Sequence, residues 1–194
     1  MIESLSTQYF CMKTHILLLR GINVSGHNMI KMDLLTKMLF TMGFENVQTY
    51  IQSGNVILDS DETPSKIAFT IKQEIFKEFG HDVPVLVINQ QDLKDCLTQN
   101  PFLKEKDVDL KKLYVAFVSM ELNENSIHDL KISNIKPDEV HIDRHKLFIK
   151  YAVSPAKTRL DQKYIEKKLN VKATIRNWNT INNLLEISNN QPLK

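Results

Sequence analysis

The order β-α-β-β-α-β can be read twice along this sequence, and that doubling limits the available folds more than any other feature. In the first pass, the apolar run His15 to Arg20 ends at Gly21 and predicts a strand. Leu35, Met38, Leu39 and Met42 recur at helical spacing within residues 31–42, and Gly43 stops that helix. Val47, Thr49 and Ile51 alternate with Gln48, Tyr50 and Gln52. Ser53-Gly54-Asn55 then turns the chain and Val56 to Asp59 returns. Thr63-Pro64 reads as a cap followed by proline at the first helical position, with Ile67, Ile71, Ile75 and Phe79 on one face. Pro84 to Ile88 is the fourth strand, and a short helix, Gln90 to Leu97, follows.

The second pass begins after a charged, aperiodic stretch, residues 103–112. Leu113 to Val118 predicts a strand and Glu124 to Leu130 a short helix. Val140 and Ile142 alternate with His141, and Leu147 and Ile149 do so across a tight turn at Asp143-Arg144. Thr158 to Leu169 predicts a helix, and Val171, Ala173 and Ile175 a last strand. Asn177 or Asn179 caps a trailing helix. The expected class is therefore α+β: two ferredoxin-like (βαββαβ) plaits in tandem, with extra short helices. The expected divisions are a flexible tail at 1–12, a first plait at 13–102, a linker at 103–112, a second plait at 113–188 and a tail at 189–194. The repeat is one of order and not of identity, so a single mixed α/β domain is the competing reading.

Composition narrows the class of function. The longest run without a polar residue is Val83 to Ile88, far short of the roughly 20 residues a membrane span needs. Two cysteines, Cys11 and Cys96, match no metal or redox spacing, and thiols this sparse suit a reducing, cytoplasmic setting. Residues 1–12 lack the features of a signal peptide, and Met12 is an alternative start. Net charge is only +2, yet residues 145–194 hold 10 basic against 3 acidic side chains. Such a segment suits phosphate or nucleic acid, or is simply a solvated lysine-rich surface.

Plait topology brings two polar loops together. The loop after the first strand, Arg20 to Asn28, and the turn Gln52 to Asn55 leave the sheet at one end, about one strand spacing, roughly 5 Å, apart. In the second unit, Ser154 to Arg159 and Arg176 to Asn179 leave from another end, both expected to open helices whose free N–H groups suit an anion. Gly21 to Gly26 has GxxxxG spacing, but His27-Asn28 stands where a Walker A loop has Lys-Ser/Thr. Arg20 closes an apolar strand, where a charge is paired or functional. Trp178, the only tryptophan, packs in the core or stacks on a ligand ring. His141 and His145 flank a hairpin without a third ligand, so no metal is expected. No activated nucleophile or acidic pair stands out, which leaves enzyme activity undecided.

Three strings carry a resemblance. LLRGINVSGHN (Leu18 to Asn28), GFENVQTYIQSGNV (Gly43 to Val56) and ATIRNWNT (Ala173 to Thr180) closely resemble the bacterial family called domain of unknown function 1697. The resemblance spans about residues 13–187 and implies two α/β plaits, without implying a reaction or cofactor. It singles out Arg20, Gly21, Asn23, Gly26, Ser53, Gly54, Asn55, Arg176, Asn177 and Trp178. Many relatives have Gly-Gly at Ser25-Gly26, and many have Ser-Lys at Ala156-Lys157. With Lys157 added, these residues form the expected binding set for a small anionic or nucleotide-like ligand. The alternatives are nucleic acid on the basic C-terminal part, an enzyme of unknown reaction, or motifs that only hold the structure together. The ligand, any cofactor and the oligomeric state are left open.

Overall fold

The computed structural model describes residues 12–24 and 26–190. The expected tail at 1–12 lies outside the described residues except for Met12; Ser25 and residues 191–194 lie outside them too. The first half of the chain forms β1 (Lys13–Leu19), α1 (Met32–Thr41), β2 (Glu45–Tyr50), β3 (Asn55–Ser60), α2 (Pro64–Phe79), β4 (Val85–Asn89) and α3 (Gln90–Gln99). The second half forms β5 (Leu113–Val118), α4 (Glu124–Asp129), β6 (Glu139–Asp143), β7 (Lys146–Lys150), α5 (Gln162–Leu169), β8 (Ala173–Asn177) and α6 (Trp178–Asn189). The eight strands make two four-stranded antiparallel sheets, ordered β2-β3-β1-β4 and β6-β7-β5-β8. In each, the third strand lies between the first two, which therefore run parallel to one another.

Strand alternation decides what each sheet face meets. In β1, Leu17 and Leu19 join Val56 and Leu58 of β3 under α1 and α2, whose Leu35, Met38, Ile67 and Ile71 close an outer core. Ile16 and Leu18 point the other way. They join Ile57 and Leu86 in a second core with Val115, Phe117 and Phe148 of the other sheet. Between the sheets lie α3, through Leu93 and Cys96, and α6, through Trp178, Ile181 and Leu184. A third core packs α5 on the far side, where Ile165 meets Ala116, Leu147 and Ile149. The layers therefore run helix, sheet, helix, sheet, helix, and the middle layer belongs to both halves.

The segment read as a linker is packed against this layer. A short 3₁₀ turn, Pro101–Lys104, leads into it and another, Leu110–Lys112, ends it. Its Leu103 and Val108 pack against the middle core, next to the buried Phe102 that precedes the segment. The helix expected from Thr158 begins instead at Gln162, because Asp161 is its cap and accepts a hydrogen bond from the Tyr164 N–H at 2.7 Å. Thr158 is engaged elsewhere, donating its hydroxyl to Asp138. No helix of the described residues is long and apolar enough to cross a membrane.

Candidate functional site

Arg176 was expected at the mouth of a loop. It lies within β8, opposite Val115, and its side chain points into the middle layer. There the guanidinium is buried and shared among oxygens of both halves. Its Nε donates to Asn55 Oδ1 at 2.6 Å, and Nη1 donates to Thr174 Oγ1 at 2.7 Å and to the Ile175 carbonyl at 3.1 Å. Nη2 donates to the carbonyls of Leu19 at 2.9 Å, Ser53 at 3.2 Å and Gly54 at 3.4 Å. No carboxylate of the described residues forms an ion pair with it. Burial pulls its pKa down to about 10, so the group is still cationic at neutral pH. The cation is held by a ring of carbonyl, amide and hydroxyl oxygens, and every nitrogen is used.

The turn it grips is held from all sides. Asn55 is buried and donates Nδ2 to the Tyr50 carbonyl and to Ser53 Oγ, both at 3.1 Å. Asn23 donates to the carbonyls of Ile30 and Gln52 at 2.9 Å and accepts from the Ile30 N–H at 2.8 Å. It therefore ties the Arg20–Asn28 loop both to its own base and to the β2–β3 turn. The two loops converge as the topology predicts: the Leu19 N–H donates to the Gly54 carbonyl at 2.8 Å. Gly54 has φ +76°, and a Cβ there would lie 2.8 Å from side-chain atoms of both Ile22 and Leu19. Only glycine fits, on backbone and on space. Ile51, next to this turn, is half exposed with φ +49°, a conformation a β-branched residue adopts only when its surroundings impose it.

Arg20 makes a second bond between the halves. Its Nη2 meets Glu166 Oε2 of α5 at 2.6 Å, and Glu166 Oε1 accepts from the Ala173 N–H at 2.9 Å. Nothing in the sequence marks Glu166 as the partner, 146 positions away. The remaining expected residues separate from this joint. Asn177 caps α6, its Oδ1 accepting from the Thr180 N–H at 2.7 Å. Trp178 is buried in the middle core and offers no face for stacking on a ligand. Lys157 is exposed on a 3₁₀ turn, and neither it nor the residues around it open a helix. Gly21 and Gly26 carry positive φ in the exposed loop.

One basic concavity among the described residues lies outside every residue set expected from the sequence. A shallow groove of about 510 Å³ beside α5 is lined by Lys163, Lys167, Lys172, Asn170, Ser119 and Glu166. Glu166 is the carboxylate that Arg20 neutralises. The excess of lysine late in the chain was the signal available, but a count over residues 145–194 gives no position. Cys96 is buried and free, and burial pushes its thiol up to about 12, so it stays protonated.

Fold and joint together define an α+β protein of two four-stranded antiparallel sheets clamped over shared helices. The family model described as a protein of unknown function (DUF1697) matches residues 12–148, and the chain belongs to that family. The match takes in both loops of the first half and stops before Ala173–Thr180. Among solved structures the chain is similar to the conserved bacterial protein SP0830 from Streptococcus pneumoniae. The TM-score is 0.68 at 23% identity, over 92% of this chain and 99% of that one, and the likeness is one of fold. A search of curated proteins returns no match.

Proposed function

We propose that this chain binds a small anionic ligand in the lysine-lined groove beside the Arg20–Glu166 pair. The observation that carries this is the charge balance there. Lys163, Lys167 and Lys172 face one concavity whose single carboxylate, Glu166, is already paired. The groove is thus cationic, and Asn170 and Ser119 add polar groups that orient a bound molecule. On this reading the Gly/Asn/Arg motif serves the site indirectly. Asn23, Ser53, Gly54, Asn55 and Arg176 hold the two halves in register, and Arg20 leaves the lysines unopposed. Each half is read as a ferredoxin-like plait, supported by the strand order, with 13–102 and 113–188 as the two units.

Titration with adenosine triphosphate and with a short single-stranded RNA, at low and moderate salt and followed by amide chemical shifts, tests the proposal. Saturable shifts at Lys163, Lys167, Asn170 and Lys172 on adding the nucleotide are expected. Lys167→Glu is expected to weaken that binding at least tenfold, about 1.4 kcal/mol. Shifts confined to other surfaces, or none, would sink it. Binding of the RNA alone, falling steeply with salt, would transfer the groove to a nucleic acid. Tryptophan fluorescence is a poor reporter here because Trp178 is buried between the sheets.

A further inference from the structure

Four strands end the two sheets: β2 and β4 in one, β6 and β8 in the other. Edge strands expose unpaired backbone groups, and natural sheets protect them with charges, proline or bulges. β2 carries Glu45 and a register break between Glu45 and Gln48. β6 carries Glu139 and Asp143, and β8 carries Arg176. β4 reads Val-Leu-Val-Ile-Asn and, beyond Pro84 at its start, holds no charge, proline or bulge.

The free backbone groups of β4 can be assigned. The Arg20 N–H donates to the Pro84 carbonyl at 2.9 Å, so the pairs Leu18–Leu86 and Ile16–Ile88 exchange the ladder bonds. Val85 and Val87 alternate with them, and their N–H and C=O groups point away from β1. Among the described residues no backbone hydrogen bond from another element reaches these groups. A groove of about 350 Å³ runs along this edge, and Val85, Leu86, Val87 and Ile88 all line it. Consecutive strand residues share one groove only along a backbone edge, because their side chains alternate between faces.

The walls select the occupant. One is the first turn of α2, at Ser65, and the other is Phe117 with Lys146 from the second half. The second half stands across the groove, so a partner on this edge must enter as a single strand at the usual spacing of about 4.8 Å and not as a folded sheet. The first turn of α2 carries no acidic residue, and its dipole presents partial positive charge. Opposite stand the exposed His145 and the buried Lys146, the latter already paired with Asp143 at 3.5 Å and Asp95 at 3.9 Å, so the α2 turn is the cationic wall. Asp92, the acidic residue in the lining, is engaged in the α3 cap, where its Oδ2 accepts from the Asn89 N–H. We infer that β4 takes up one extended peptide segment as a fifth strand, with apolar side chains toward Phe117 and acidic side chains toward the first turn of α2.

A fluorescein-labelled peptide of alternating valine and aspartate is the probe, read by anisotropy and by amide exchange of the full chain. Saturable binding with slowed exchange at Val85 and Val87 is expected. The same peptide N-methylated at alternate residues is expected to bind at least tenfold more weakly, since it cannot complete the ladder. Val87→Pro removes an outward N–H that pairing with β1 does not use, and a similar loss is expected with unchanged circular dichroism. The methylated peptide keeps the test independent of whether that variant folds. A flat titration, or equal binding of the two peptides, overturns the inference. A concentration-dependent dimer already protected at Val85 and Val87 overturns it too, in favour of a second copy.

Discussion

Arg176 shows how a single residue can look like a ligand contact and be a structural tie. A guanidinium offers five N–H donors in a rigid fork, and here carbonyl, amide and hydroxyl oxygens from both halves satisfy them. Removing it strands several buried acceptors at once, each costing about 1–3 kcal/mol. Arg176→Ala is therefore expected to destabilise the fold by about 3 kcal/mol or more, measured by denaturant unfolding. Arg176→Lys should recover only part of that, since an ammonium cannot span Asn55, Leu19 and Ser53 together. A loss below about 1 kcal/mol for Arg176→Ala would mean that the ring of oxygens relaxes without its cation. Arg20 differs because it is partly exposed and has one carboxylate, so its pairing also shapes the charge of the neighbouring groove.

At the scale of elements, caps set the boundaries better than apolar spacing does. Asn89 and Asp92 form a reciprocal capping box that starts α3 directly after β4. Asn177 starts α6 directly after β8 with a single cap bond from the Thr180 N–H, so each sheet's last strand feeds a helix into the middle layer. Replacing Asn177 by alanine is expected to cost about 1 kcal/mol, seen as a lower denaturation midpoint with an unchanged slope. No change would show that packing of Trp178 and Ile181 alone holds the helix start. The α5 start was misplaced from sequence because Leu160 fits the helical stripe. Leu160 is buried, yet it precedes the Asp161 cap.

At the scale of the whole molecule, residues of both halves share the middle core, which predicts that they unfold together. Ile16, Leu18, Ile57 and Leu86 are covered by helices and a sheet that include the last described segment of the chain. Thermal unfolding is expected to be a single transition, with Trp178 fluorescence and far-ultraviolet circular dichroism coinciding. A fragment ending at residue 102 would expose that apolar face and is expected not to stay folded as a monomer. Two separated transitions would instead show halves that fold independently.

The sequence by itself determined the local order. Two-residue and 3.6-residue periodicities, glycine stops and Asn/Thr caps are written in neighbouring residues, and they place eight strands and most helices. It also determined that Arg20–Asn28 and Gln52–Asn55 would meet, because strand order follows from connectivity and handedness. Tertiary structure alone decided what the polar residues do. Arg176 and Asn55 are 121 positions apart, and Arg20 and Glu166 are 146 apart. No local pattern encodes those pairings, because they exist only once the inner faces of both sheets close on α3 and α6. Burial then turns a residue set that reads as a binding loop into the joint of the molecule.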